Sequence, residues 1–268
     1  SDLDQSRIHK GEYLHFMEKE IFEQPQAVKD TLLYAFNQDN DDFSYEAFSM
    51  SESDFQDISR VRIIACGSAY HVGYVLKSVC ESLARVPVQV ELASEFRYNH
   101  PILEDGELVI SISQSGETAD TLAALKEAKK LGAKTLSIVN VKGSAIAVES
   151  DFAFYTQAGP EIAVATTKAY SCQLVASYIF SLLLAKAKGK IKDEEACILR
   201  DELFLLPGKI QQSLSLDGEI LPMAKMLKDS DNIFFLGRGL DWAISMEGAL
   251  KLKEISYIHC ESYSSGEL

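Results

Sequence analysis

The feature that most constrains the fold of this chain is a series of short apolar runs, several of them followed by a helical pattern. Five runs read as strands: Val61–Gly67, Val86–Ser94, Glu107–Ser113, Ala133–Asn140 and Asp151–Gln157. Helical spacing of apolar residues follows the first, third and fifth runs. Strands spaced by helices form a parallel sheet with right-handed crossovers, and continuous apolar character indicates burial on both faces. The pattern predicts an α/β fold with a doubly wound parallel sheet flanked by helices.

A second unit of the same kind begins late in the chain. The segment Asn232–Gly239 (NIFFLGRG) repeats the strand-then-glycine order of the first run, and apolar residues at helical spacing follow it. We therefore expect an N-terminal helical and acidic connecting segment (1–57), a first domain (58–190), and a helical linker with the beginning of a second similar unit (191–268). One strand and one helix cannot cover their own apolar faces. The last segment is expected to pack on the first domain or on another chain, or to be partly disordered.

The charge of the chain limits its partners. The formal net charge is −14, and such a surface repels phosphate backbones, so neither nucleic acid nor an anionic membrane is an expected partner. Any phosphate site must then be built locally, from oriented dipoles or a few cations. An acidic run near the N-terminal end is interpreted as a solvated connecting segment: Asp39, Asp41, Asp42, Glu46, Glu52, Asp54 and Asp57.

The cysteines indicate a reduced, cytoplasmic protein. There are five, an odd number, without a C-x-x-C pair, which argues against a disulfide framework and a zinc site. Neither a metal nor a cofactor is expected. The apolar run Cys172–Ala185 is interrupted by polar residues and is short for a membrane span, so a buried core helix is the better interpretation.

The most informative motif is SISQSGETADT, residues 111–121. It runs from the end of a strand into a helix that begins near Thr118. In a parallel sheet the carboxyl ends of the strands form the ligand crevice, and the free amides of the next helix point into it. The polar side chains of the motif are Ser113, Gln114, Ser115 and Thr118. With those amides they predict an anion site without a cation.

Alternatives remain open at this stage. Ser115 or Thr118 could simply cap the helix, with Glu117 and Asp120 complementing its dipole. The segment CGSAYH (66–71) places a glycine and a serine after the first strand, which is a weak signal because such turns are common. His71 fits a structural role better than a catalytic one.

Several motifs together resemble one family. The segments ACGSAYHVG, ELASEFRY, SQSGETADTL, GPEIAVATTKAY, LGRG and EGALKLKEISYIHCESYSSGEL, in this order, closely resemble the isomerase half of glucosamine-6-phosphate synthase, which is built of sugar isomerase (SIS) domains. The resemblance covers about Gly11 to Leu268. It implies conversion of fructose 6-phosphate and glutamine-derived ammonia into glucosamine 6-phosphate, in dimers or larger homo-oligomers.

The resemblance also implies roles for individual residues. Ser113, Gln114, Ser115 and Thr118 would hold the phosphate of a hexose 6-phosphate, fructose 6-phosphate or glucosamine 6-phosphate. Sugar contacts would come from Ser68, Ala69, Val164 and Ala165. Ala69 stands where the family usually has serine, which removes one hydroxyl. Lys168 could be a sugar ligand or a surface lysine at a helix start.

Glu254 is the implied catalytic base, with Lys251 beside it. Glu247, Lys251 and Glu254 are spaced by four and three residues and therefore share a helix face. Moving a proton between C1 and C2 of a ketose needs a base beside those carbons. From the spacing alone, a salt-bridged surface helix would be the favoured interpretation, and only the family resemblance reverses that preference.

The family pattern extends past both ends of this sequence. It implies a ring-opening histidine and an imine-forming lysine after Leu268, and a glutaminase domain before Ser1. The fragment is therefore expected to bind the sugar phosphate and not to turn it over. The alternatives are a non-catalytic sugar-phosphate sensor of SIS type and a related phosphosugar deglycase or isomerase.

Overall fold

The first domain is built on a five-stranded parallel sheet. The structure, a computed structural model, describes residues 9–36 and 43–268. The strands are β1 (Arg60–Ala65), β2 (Val88–Leu92), β3 (Glu107–Ser113), β4 (Lys134–Val139) and β5 (Phe152–Tyr155). Their order is β2-β1-β3-β4-β5, and every neighbouring pair is parallel. The predicted doubly wound parallel sheet is confirmed.

The helices are α1 (Phe16–Phe22), α2 (Gln24–Ala35), α3 (Glu52–Asp57), α4 (Ser68–Leu83), α5 (Ala93–Phe96), α6 (Ala119–Lys130), α7 (Ala145–Glu149), α8 (Lys168–Ala187), α9 (Asp193–Phe204), α10 (Leu206–Leu214), α11 (Asp217–Leu227) and α12 (Leu240–Ser256). Helices cover both faces of the sheet because alternate strand residues point to opposite sides. Ile63 and Ile110 lie in a core shared with α2, α4 and α8, whereas Ile64 and Val109 lie in a second core shared with α5, α6 and α7.

The apolar helix α8 is the central helix of the first core. It is long and apolar enough to cross a membrane by composition, but 78% of its most apolar window is buried inside the fold. Ile179 and Phe180 are fully buried against the sheet and its neighbours. Helix α8 is therefore the buried core helix that the sequence predicts.

The acidic segment before β1 is more than a solvated connection. A 3-10 turn at Tyr45–Phe48 and helix α3 follow one another there. Phe48 and Phe55 are fully buried, and the Phe48 ring stacks on Phe154 with centroids 4.5 Å apart. The acidic residues Glu46, Glu52 and Asp57 are exposed, as expected, but the segment is also anchored by apolar side chains that the acidic pattern conceals. The acidic residues Asp39, Asp41 and Asp42 lie outside the described residues.

The second unit contains one strand more than the sequence indicates. Strand β6 (Asn232–Gly237) leads through Gly239 into α12, and β7 (His259–Ser264) then pairs with β6 in parallel. The expectation of a single strand here is wrong. Gly67 and Gly239, which precede α4 and α12, have nearly the same backbone angles (φ 58°, ψ −134° and φ 56°, ψ −121°), so the two units share their local geometry.

The second unit packs on the first domain through α12 and α4. The His71 ring nitrogen Nδ1 lies 2.8 Å from Glu247 Oε2. The rings of Tyr74 and Trp242 meet edge-on with centroids 5.6 Å apart. Of the three arrangements expected for the last segment, packing on the first domain is the one observed.

Candidate functional site: a polar pocket at the strand-order reversal

The strand order of the sheet reverses between β1 and β3, because β2 lies on one side of β1 while β3, β4 and β5 follow on the other. In open α/β sheets, ligands bind outside the carboxyl ends of the strands at such a reversal. A cavity of about 240 Å³ opens there. Its lining is mostly polar: Cys66, Ser68, Ala69, Ile112, Ser113, Gln114, Ser115, Thr118, Thr121, Glu161, Ala163, Val164, Thr166 and Gln173.

The loop after β3 forms one wall of this pocket. Ser113 Oγ accepts a hydrogen bond from the Gly116 amide (3.1 Å) and lies 3.0 Å from Thr118 Oγ1. Ser115 Oγ accepts from the amide of Glu117 at 3.2 Å. These contacts hold the loop in a tight turn with its hydroxyl groups on the pocket side. All four predicted polar residues of the motif line the same cavity.

Thr118 does not use its hydroxyl to cap the helix. It occupies the N-cap position of α6, yet its side chain accepts no hydrogen bond from the first turn. The capping alternative is therefore wrong for Thr118. The amides of the first turn of a helix lack intrahelical partners, and the positive end of the dipole lies at the same place. The pocket thus combines hydroxyl groups with an N-terminal helix end and has no Lys or Arg among its lining residues.

Gly116 is required by the shape of the loop. Its φ is +68°, and a Cβ at this position would lie 2.0 Å from Ser144 Oγ. The loop also contacts the segment after β4, since the Ile146 amide donates to the Gly116 carbonyl and the Ala145 amide donates to Glu117 Oε1, at 2.9 and 2.8 Å. Any side chain at position 116 would break this close approach.

The turn after β1 forms the opposite wall. Gly67 adopts φ +58°, and Ser68 and Ala69 are the first residues of α4. Both line the pocket, as the resemblance predicts. The methyl group of Ala69 is largely buried, so this position offers the pocket little beyond its backbone.

The segment before α8 forms the rim, and it corrects the expectations for Lys168. Val164 lines the pocket with a fully exposed side chain, but its neighbour Ala165 is buried and is not a lining residue. Neither reading of Lys168 fits, because its side chain is buried and its Nζ lies 2.7 Å from Glu23 Oε2. Lys168 thus forms a structural ion pair with Glu23, which the local sequence does not reveal.

Other lining residues were not predicted. Gln173 is a buried polar residue of α8, and its amide in a mostly apolar helix is the sequence signal for it. Glu161 lines the rim, but its carboxylate already accepts hydrogen bonds from Thr166 Oγ1 and the Thr167 amide at 2.6 and 2.8 Å. These bonds direct its charge toward the start of α8.

The predicted catalytic pair lies on α12 and does not line this pocket. Lys251 Nζ lies 2.5 Å from Glu254 Oε2 and 3.4 Å from Glu247 Oε1, so the three residues share a face as predicted. Glu254 is exposed, whereas Glu247 is buried against His71. Through its contact with Glu247, His71 contributes to the docking of α12, the structural role expected for it. Burial raises the pKa of the nearby Tyr170, and the charge of Glu247 adds to this rise.

A parallel sheet with a hydroxyl-lined pocket at its strand-order reversal defines a doubly wound α/β protein with the geometry of a ligand-binding site. The family model described as SIS domain matches residues 54–183 and 226–268. The C-terminal domain of glucosamine-fructose-6-phosphate aminotransferase from Francisella tularensis superposes with a TM-score of 0.92 at 44% identity, over 97% of this chain and 72% of that one. The chain belongs to the SIS domain family, in the group that contains this C-terminal domain.

Curated relatives agree with this assignment. The glutamine–fructose-6-phosphate aminotransferase (isomerizing) of Clostridium tetani is 51% identical over 259 residues, which are 97% of this chain and 42% of that relative. The protein of the same name from Caldanaerobacter subterraneus subsp. tengcongensis is 49% identical over 265 residues, 99% of this chain and 43% of its own length. The chain thus spans less than half the length of these relatives. The resemblance inferred from the motifs is confirmed.

Proposed function

We propose that this chain is the sugar-phosphate-binding isomerase part of a cytoplasmic glutamine:fructose-6-phosphate aminotransferase. The observation that carries the proposal is the convergence of Ser113, Gln114, Ser115 and Thr118 on one pocket at the strand-order reversal, beside the N-terminal end of α6. A phosphate group suits this set, because hydroxyl and amide donors and the helix dipole all favour an anion. The names of the relatives supply the substrate class, a fructose 6-phosphate.

In the proposed complex the sugar extends from the phosphate loop toward the rim and the start of α4. Ser68, Ala69, Val164 and Ala165 are the proposed sugar contacts, the last through its backbone because its side chain is buried. Glu254 is the proposed base for proton transfer between C1 and C2, and Lys251, whose Nζ lies 2.5 Å from Glu254 Oε2, is proposed to position it. A glutaminase domain would supply ammonia in the intact parent.

The phosphate assignment is tested by the double variant Ser113→Ala with Ser115→Ala. Loss of two charge-assisted hydrogen bonds is expected to weaken fructose 6-phosphate binding by about 2–4 kcal/mol in isothermal titration. The matched control is Ser213→Ala with Ser215→Ala, which removes two exposed hydroxyls with the same sequence spacing. Ser213 lies in α10, and Ser215 directly follows that helix. An unchanged affinity in the first variant would contradict the phosphate assignment.

We further propose that the chain alone binds its ligand without turning it over. A general base must come within hydrogen-bond reach of the proton it moves, and Glu254 is exposed and outside the pocket lining. A sensor of SIS type would show the same absence of turnover but would not need Glu254. Isomerisation of fructose 6-phosphate by the chain alone, abolished by Glu254→Gln, would contradict this part of the proposal.

Self-association belongs to the proposal as well. Apolar side chains are exposed on α11 and β6, among them Ile220, Met226 and Phe234. Exposed apolar surface on this scale indicates a covered interface. We expect a homodimer or larger homo-oligomer in light scattering, and a monomer at all concentrations would contradict it.

A further inference from the structure

The rim of the pocket is a loop that its apolar side chains do not anchor. The segment 161–167 is the second half of the connection from β5 to α8; it has no regular secondary structure and lines the pocket with Glu161, Ala163, Val164 and Thr166. Two of its apolar side chains, Ile162 and Val164, are exposed. A loop that buries little apolar surface needs another source of order. In this loop the order comes from contacts with the N-terminal helices α1 and α2.

Glu20 of α1 holds the loop by its backbone. Glu20 is 2% exposed. Its Oε1 accepts hydrogen bonds from the amides of Ile162 (2.6 Å) and Ala163 (3.2 Å), and Oε2 lies 3.3 Å from the Ala163 amide. Burial raises the pKa of Glu20, while the two loop amides and Lys168 oppose that rise. A buried carboxylate is tolerated only with such partners, so Glu20 and the loop depend on each other.

The same helices hold the far end of the loop. Lys168, the first residue of α8, is buried and lies 2.7 Å from Glu23 Oε2, at the junction of α1 and α2. Within the loop, Glu161 Oε1 accepts from the amides of Thr167 and Ala169 at 2.8 and 3.2 Å. The backbone on both sides of Val164 is therefore held by hydrogen bonds.

The phosphate wall of the pocket has separate supports. Its loop is held by Ser113 and by the segment after β4, through Ile146 and Ala145. None of these contacts involves Glu20 or α1. The two walls of the pocket can therefore be perturbed independently, although they share one ligand.

We infer that Glu20 is a positioning residue that sets the sugar-facing rim of the pocket, and thereby the affinity for the hexose part of the ligand but not for its phosphate. This inference rests on the proposed hexose 6-phosphate site. A preorganised rim spares the ligand the entropic cost of ordering the loop. Without the Glu20 carboxylate, the amides of Ile162 and Ala163 lose their acceptor and the rim loosens.

The test compares Glu20→Leu, Glu20→Gln and the matched control Glu18→Gln by isothermal titration with fructose 6-phosphate and with inorganic phosphate. Glu18 lies on the same helix, and its carboxylate accepts from the Leu14 amide instead of the loop. We expect Glu20→Leu to weaken fructose 6-phosphate about tenfold or more and to leave inorganic phosphate within about twofold. Glu20→Gln, which retains an acceptor oxygen, should recover most of the loss, and Glu18→Gln should match the unmodified chain.

Equal weakening of both ligands, or unchanged fructose 6-phosphate affinity in Glu20→Leu, would overturn the inference. If Glu20→Leu does not fold, Glu20→Asp withdraws the carboxylate by one methylene and must give the same selective loss. Amide exchange at Ile162 and Ala163 provides a readout without ligand, and it should quicken in the Glu20 variants only. Unchanged exchange there contradicts the inference. Absence of fructose 6-phosphate binding by the unmodified chain contradicts the proposed function instead.

Discussion

The first domain and the second unit repeat one local pattern in two different surroundings. In both, a strand runs through a glycine with positive φ into a long helix. Strand β1 lies between β2 and β3 and is almost entirely buried. Within residues 9–36 and 43–268, β6 pairs with β7 only, and Phe234 and Leu236 are about half exposed, at 55% and 50%. Local sequence therefore determines the turn, and neighbouring strands determine the burial.

The same difference separates the two candidate functional regions. The pocket residues after β1 and β3 are held by a complete sheet and its flanking helices, so they converge without a partner. Glu254 and Lys251 lie on α12, whose contacts to the first domain include the His71–Glu247 hydrogen bond and the Tyr74–Trp242 ring pair. Ligand binding should depend on the first domain and the N-terminal helices that contact its pocket rim, and catalysis should depend on how α12 is placed.

The largest expected effect is on stability, at matched phenylalanines of the two regions. Phe48→Ala removes a fully buried ring stacked on Phe154 and should lower the free energy of unfolding by about 3–5 kcal/mol. Phe234→Ala removes an exposed ring of β6 and should cost less than about 1 kcal/mol. Denaturant titration of both variants measures the difference. Similar losses would mean that the second unit is as well packed as the first.

Glycines with positive φ in the two regions give the next largest effect. Gly116→Ala combines a positive φ with a Cβ placed 2.0 Å from Ser144 Oγ, and should cost about 1–3 kcal/mol and weaken fructose 6-phosphate binding. Gly239→Ala has a similar φ but open space around the new Cβ, so it should cost about 1 kcal/mol. Thermal unfolding and titration compare them. Intact binding in Gly116→Ala would show that the loop tolerates a different shape.

Acid should act on the first domain before the second unit. Burial would raise the pKa of Asp151, but hydrogen bonds from the Thr135 hydroxyl and amide and from Lys129 outweigh it and lower the pKa below 3.8. Contacts with Lys77 and the Val88 amide likewise lower the pKa of Glu81 below 4.5. A lowered folded pKa contributes stability above the unfolded value that is lost as the pH falls through the folded value.

The expected result is a modest decline in the stability of the first domain as the pH falls below about 4.5, the upper of those two ordinary values. Residue-resolved amide exchange measures this decline in stability. In Asp151→Asn the stability should fall less steeply as the pH is lowered. Earlier loss of protection in β6 and β7 than in β4 and β5 would contradict this ordering.

Much of the fold could be predicted from the sequence because local pattern and final environment agree there. Strand β3 has the predicted bounds, Glu107–Ser113, since every residue in it is buried. Strand β7 was missed because HCESYS is mostly polar and becomes a strand only by pairing with β6. The packing of segment 43–57 was not predicted because its charged residues outnumber the two phenylalanines that anchor it, Phe48 and Phe55.

The candidate site divides in the same way. The residues after β3 could be predicted because a strand end and a helix start are adjacent in sequence. Glu20 could not, because its partners lie 142 and 143 residues away and are backbone amides. The buried ion pair of Lys168 with Glu23 is also a long-range contact, which no local pattern encodes.

The proposal on which the others depend is a site for a hexose 6-phosphate in the first domain. The most direct measurement is a set of parallel thermal melts with fructose 6-phosphate, glucosamine 6-phosphate, fructose and inorganic phosphate. A ligand at a hundred times its dissociation constant adds about 2.7 kcal/mol of stability and raises the melting temperature by a few degrees. We expect both hexose 6-phosphates to stabilise the chain and fructose not to stabilise it. No stabilisation by either hexose 6-phosphate, or equal stabilisation by fructose, would contradict it.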